Sequence, residues 1–131
     1  MRAPRFPRRW FLAFAALLPV FGRGAQARTA AALAPAPGRG RELIALLPGR
    51  RDAAVIGREY LSAYPAESDL DALLRHFDEI AGHSNLRSAI AARLRKDFED
   101  RDTVRLRGWI LARTEARLCA ICALLDADAS A

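Results

Sequence analysis

The chain has 131 residues and carries 21 Lys and Arg against 15 Asp and Glu, a formal net charge of +6. With a pI near 10.6, that balance would ordinarily point toward nucleic acid or an anionic surface, but its distribution along the chain argues otherwise. Length allows one domain, and two cysteines are too few for a disulfide framework or a four-cysteine zinc site.

Residues 1–27 have a basic start with Arg2, Arg5, Arg8 and Arg9, an apolar run from Trp10 to Phe21, and the small-residue end Ala25-Gln26-Ala27. That is the layout of an export signal, with Ala25 and Ala27 at the cleavage positions. The run of about 12 apolar residues would span only ~18 Å as a helix, against a hydrocarbon core of ~30 Å. No stable membrane span is expected there or later in the chain. Removing the leader's five arginines from the 21 Lys and Arg leaves 16 basic residues against 15 acidic, so the remaining chain is nearly neutral and no nucleic-acid partner is expected.

Within the leader, Arg8-Arg9-Trp10-Phe11-Leu12 resembles the S/T-R-R-x-F-L-K pattern of twin-arginine (Tat) export signals, with Pro7 and Ala13 as departures. The resemblance implies the Tat translocation machinery as a partner, export in a folded state, and a periplasmic location. The ordinary secretory route, with two arginines placed by chance, is the alternative.

Residues 28–41, Ala/Pro/Gly-rich, read as a flexible arm, followed by a helical domain over 42–126 and a disordered tail over 127–131. "ELIALL" gives one or two helical turns before Pro48-Gly49. Asp52 is a candidate N-cap for a helix carrying Ile56, Tyr60, Ala63 and Tyr64 on one stripe, closed by Pro65. Ser68 is placed to cap the next helix, where Leu70, Leu73, Leu74, Phe77 and Ile80 follow helical spacing. Ser84 is placed to cap a third with Leu86, Ile90, Leu94 and Phe98 at four-residue steps, and its charge run pairs Arg93 with Asp97, Arg95 with Glu99 and Lys96 with Asp100 on a solvated face. "TVRLRGWIL" alternates in the period-2 manner of a strand, with no second strand to pair it. A last helix over about Arg113 to Leu125 carries Leu118, Ile121, Cys122 and Leu125. The expected fold class is all-α: a small bundle of about four helices with one short extended segment before the last.

Cys119 and Cys122 form a C-x-x-C, the candidate thiol pair. Their place two turns inside a helix does not suit a redox pair, which opens a helix; Ala123 stands where haem attachment would need His; and core packing is the plain alternative, with an intermolecular disulfide through Cys119 also open. His76 is expected to be partly buried and His83 to face solvent, without a metal-ligand spacing. No catalytic motif, phosphate-cradling glycine loop or cofactor site emerges, so a non-enzymatic chain without cofactor is expected.

Arg105, Arg107 and Trp109 on one face of the extended stretch, with Arg113 and Arg117 one turn apart on the next helix, are the candidate partner contacts. The plain alternative is that Trp109 closes the core and that Glu115 favours the helix dipole. The leader, the loose arm and "LLPGRRDAAVIGREYLSAY" together are similar to the small cofactor-free subunits of membrane-bound flavin dehydrogenases. That similarity implies an accessory protein that escorts or stabilises a larger redox-enzyme subunit, and it transfers no active site. A self-contained homo-oligomeric structural protein and a thiol or metal protein using the C-x-x-C remain the alternatives.

Overall fold

The structure, a computed structural model, describes residues 38–130. The export-signal residues Arg8 to Leu12, the cleavage positions Ala25 and Ala27, and most of the arm lie outside the described residues. The described chain is a small helical bundle: α1 (Arg39–Ile44), α2 (Arg50–Ala63), a 3-10 turn (Pro65–Glu67), α3 (Leu70–Ala81), α4 (Leu86–Glu99), β1 (Thr103–Leu106), β2 (Trp109–Ala112) and α5 (Arg113–Ala129).

The core forms around α5. Leu118, Cys119, Ala120, Ile121 and Cys122 are all buried, so this helix is covered on more than one side and shows no single apolar stripe. Its main neighbour is α2, which supplies Ala53, Ala54, Gly57 and Tyr60. Small residues bring the two backbones together, and a Cβ on Gly57 would lie 2.0 Å from the Cys119 carbonyl oxygen. Around this pair, α3 contributes Leu73, Leu74 and Phe77, α4 contributes Ile90, and the sheet contributes Val104, Leu106 and Leu111.

Several boundaries differ from the sequence expectation. Helix α1 begins at Arg39, inside the expected arm, because Leu43 and Ile44 bury their side chains and the turn is anchored by Glu42 N–H donating to the Gly38 carbonyl. Helix α5 runs through Ala129, past the expected start of a disordered tail; Ser130 closes it with a hydroxyl donated to the Asp126 carbonyl. The caps sit one or more residues away from the candidates. Gly49 takes the position before α2 and leaves Asp52 in the first turn. Asp69 accepts from Ala72 N–H at 2.9 Å and Asn85 from Ser88 N–H at 3.2 Å, in place of Ser68 and Ser84. Both carboxylate and amide oxygens reach the second or third helical N–H as well as a hydroxyl does, so neighbouring polar residues compete closely.

The extended stretch is a hairpin. β1 and β2 are antiparallel, with Val104 opposite Leu111 and Leu106 opposite Trp109, around the two-residue turn Arg107-Gly108. Both turn residues have positive φ, 49° and 82°, as a turn matching the right-handed strand twist requires. The strand partner was in the same run of sequence, hidden because Arg107 replaces the Asn or Asp that usually announces such a turn. Phe98, expected on the buried stripe of α4, is exposed, whereas Asp97, expected on a solvated face, is only 1% exposed.

Candidate functional site

Polar groups from four parts of the chain meet along the first turns of α5. Arg113 and Arg117 stand one turn apart on that helix, both partly buried. Arg117 forks onto Glu67, its Nε donating to Oε2 at 2.7 Å and Nη2 to Oε1 at 3.1 Å. Tyr60 Oη donates to the same Glu67 Oε2 at 2.6 Å. Arg113 donates from Nε to Asp102 Oδ1 at 2.7 Å and from Nη1 to Tyr60 Oη at 3.4 Å, with its guanidinium 5.2 Å over the Tyr64 ring. Such planar stacking and forked pairing suit Arg and not Lys.

The third arm is His76 on α3. Arg117 Nη1 lies 3.2 Å from His76 Nε2; since guanidinium nitrogens only donate, the imidazole accepts there and is neutral. Burial, then the positive charge of Arg117, lowers the His76 pKa. Glu67 is held at about 2, chiefly by the Arg117 hydrogen bonds. Tyr60 is pushed up to about 12, first by burial and then by its hydrogen bond to Glu67. The set is therefore an ionised carboxylate, a neutral phenol, a neutral imidazole and two guanidinium ions. Its strongest capacity is to grip a carboxylate.

Two further ionisable groups lie nearby. Asp97, reaching from α4, accepts the Thr114 backbone N–H at 2.8 Å through Oδ2 and so satisfies one orphan donor of the α5 N-terminus. Its Oδ1 lies 3.0 Å from Arg93 Nε, a charge contact without an aligned hydrogen bond. Glu115 sits in the first turn of α5 as the dipole argument expects, yet burial raises its pKa to about 7 against the lowering effect of the Ala112 backbone N–H.

The candidate partner contacts separate into distinct environments. Arg113 and Arg117 belong to the internal network. Arg107 lies in the hairpin turn and pairs with Glu59 of α2, so Arg105, Arg107 and Trp109 do not line one strand face. Arg105 is opposite Ile110 in the register, and Ile110 is 47% exposed. Trp109, opposite the buried Leu106, remains 37% exposed and does not close the core.

The candidate thiol pair is buried: Cys119 is inaccessible and Cys122 Sγ donates to the Arg50 carbonyl at 3.4 Å. Burial raises both thiol pKa values, the reverse of what activates a nucleophilic or ligating cysteine. Among the described residues no group of three or more His, Cys, Asp or Glu is placed to hold a metal ion. His76 is partly buried and His83 exposed, as expected. Among the described residues no helix is long and apolar enough to cross a membrane. An open depression of about 560 Å³ between α2 and the end of α5, lined by Arg58, Leu61, Leu124 and Asp126 among others, brings no convergent polar set together.

No protein-family model, curated protein or solved structure matches this chain.

Sequence reasoning missed Tyr60, Glu67, His76, Asp97 and Asp102 as parts of a site. Tyr60 sat on an apolar stripe and Glu67 beside a proline, positions that read as core and connector. The two lie only seven residues apart, but the arginines that join them are 53 and 50 residues further along, beyond any local spacing rule.

Proposed function

We propose that the chain is an exported, non-catalytic accessory protein that binds a protein partner, a larger redox-enzyme subunit carried through the twin-arginine route. The observation that carries the binding role is the hairpin, where Ile110 and Trp109 stay exposed beside Arg105. A small domain gains by burying such side chains, and Trp and Arg are enriched among residues that dominate interface energies. The Arg8-Arg9-Trp10-Phe11-Leu12 pattern supports the route, and a folded-cargo route is suited to a chain travelling together with a cofactor-bearing subunit.

Affinity purification of the tagged protein from its native envelope, with crosslinking, tests the reading. A large oxidoreductase subunit should return with the wild type and be reduced at least tenfold with Ile110→Asp. Return of the tagged chain alone, as a monomer or as a self-assembled oligomer, would overturn it. Replacing Arg8-Arg9 by Lys-Lys should block export; unaffected export would remove the twin-arginine assignment.

A further inference from the structure

The polar network on α5 has an asymmetry that a simple structural tie does not need. Two donors, Tyr60 Oη and the Arg117 guanidinium, converge on one carboxylate, Glu67, and a third cationic group, Arg113, stands 3.7 Å from its Oε1 as a charge contact. Each of these groups is held by something other than that carboxylate. Tyr60 is fully buried, with its ring 4.8 Å from that of Tyr64. Arg113 is fixed by Asp102 and by the Tyr64 ring beneath it, and Arg117 by His76. Removing Glu67 would therefore leave a preoriented set of donors, which is what a built anion site requires.

Glu67 itself comes from the least anchored piece of this region. It ends the Pro65–Glu67 3-10 turn, which buries no residue, and Pro65, Ala66, Ser68 and Asp69 are all exposed. From Pro65 to Ser68 the connector's other bonds are local, Glu67 N–H to the Tyr64 carbonyl and Ser68 N–H and hydroxyl to the Pro65 carbonyl, while Asp69 anchors its far end by accepting the Ala72 and Leu73 N–H groups of α3. The forked geometry at Arg117, with Tyr60 on one of the same oxygens, matches the two oxygens of a planar carboxylate.

We propose that Tyr60, Arg113 and Arg117 form a carboxylate-binding site that Glu67 occupies in cis, and that an external carboxylate takes it over when the Pro65–Ser68 connector swings out, with the Asp69 cap of α3 left in place. The external group is the side chain of an acidic residue on another protein or a free small carboxylic acid. Tethering gives Glu67 an effective concentration in the millimolar range, so the wild type resists weak competitors. Removing its carboxylate opens the site. This assignment stands independently of the partner reading, since a small acid can bind with no protein partner present.

Thermal unfolding of the full chain at pH 7 tests it, with sodium acetate compared against sodium chloride at equal ionic strength. Glu67→Ala should gain roughly 5 °C from acetate at about tenfold its dissociation constant, the wild type should gain much less, and E67A/R117M should gain nothing. A blocked Ala-Glu-Ala tripeptide separates the two sources: a larger shift than acetate at equal concentration assigns the site to protein side chains, and a smaller one to free acids. Equal acetate responses in wild type and E67A, or a response that survives R117M, would overturn the proposal and leave Glu67 as a structural tie. If E67A does not fold in chloride, acetate should restore its folding. Should it fail to, Glu67→Gln is titrated with acetate while the Arg117 Nε–H resonance is followed by NMR. A saturable shift supports the site, and an unmoved resonance refutes it.

Discussion

At the scale of single residues, Gly57 and Glu115 illustrate two different costs. The space a Cβ would need at Gly57 is already taken by the Cys119 carbonyl and by Ala123 Cβ, at 2.0 and 2.9 Å. Neither is the end of a flexible side chain, so the helices must separate. Gly57→Ala is expected to lose about 2–4 kcal/mol in urea unfolding, although Ala has the better helix propensity; a neutral or stabilising result would contradict the close crossing of α2 and α5. Glu115 is a matter of charge. Its folded pKa of about 7 lies above its ordinary 4.5, so the stability it contributes is full below about pH 4.5 and is lost as pH rises through 7. Glu115→Gln, which keeps an acceptor for the Ala112 N–H, should therefore stabilise the protein by about 1–2 kcal/mol at pH 8 and have no effect near pH 4. Denaturation curves of the two proteins at both pH values check the sign.

At the scale of elements, the hairpin and α5 show where local pattern is informative. Helix α3 was legible because Leu73, Leu74 and Phe77 repeat at helical spacing and bury as that spacing predicts. Helix α5 was legible as a helix from Leu118, Ile121, Cys122 and Leu125 on one face, but its central place was not, since the small residues Ala116, Cys119, Ala120 and Ala123 beyond that face are buried too. In the hairpin the only open signal was Gly108 between two apolar runs. Nothing lies within 4 Å of a Cβ built there, yet φ is 82°, so Gly108→Ala is expected to cost about 1–2 kcal/mol from backbone strain alone. Arg107→Asn should recover several tenths of a kcal/mol, because Asn tolerates the left-handed region better. A thermal melt of the double variant R107N/G108A that matches G108A alone would show that Arg107 carries no such strain at its φ of 49°.

At the scale of the whole molecule, the Tyr60–Glu67–Arg117–His76 network ties α2, its following connector, α3 and α5 together, and this makes stability depend on pH. His76 has a lowered pKa, so the stability it contributes is present above its ordinary 6.5 and declines as pH falls below it. Glu67, depressed from 4.5 to about 2, contributes above 4.5 and loses its share between about pH 4.5 and 2. The Glu67 step should be about 2–3 kcal/mol. Tyr60, raised from 10 to about 12, adds a loss on the alkaline side that begins above pH 10. Glu115 acts in the opposite sense between pH 7 and 4.5, so the acid limb is best followed in a Glu115→Gln background. In that background Glu67→Gln should remove the step below pH 4.5, and its persistence would show that another carboxylate governs acid unfolding.

Local spacing was enough for the helical class, the approximate places of α2 to α5, the burial of Cys122 and the half-buried state of His76, whereas Cys119, expected at the edge of the stripe and open to an intermolecular disulfide, is fully buried. Those legible features follow from spacing over a few residues, where a turn of helix brings i, i+3 and i+4 to one side. It took the packed fold to turn Arg113 and Arg117 into an internal network, to bury Asp97 at the start of α5 and to leave Trp109 partly in solvent. The polar partners behind the first two lie 11 residues apart for Arg113 and Asp102, 17 for Thr114 and Asp97, and 41 and 50 for Arg117 with His76 and Glu67. A charge without its partner reads as a surface charge, and it is the packing of α2 and α3 on α5 that brings the partners together.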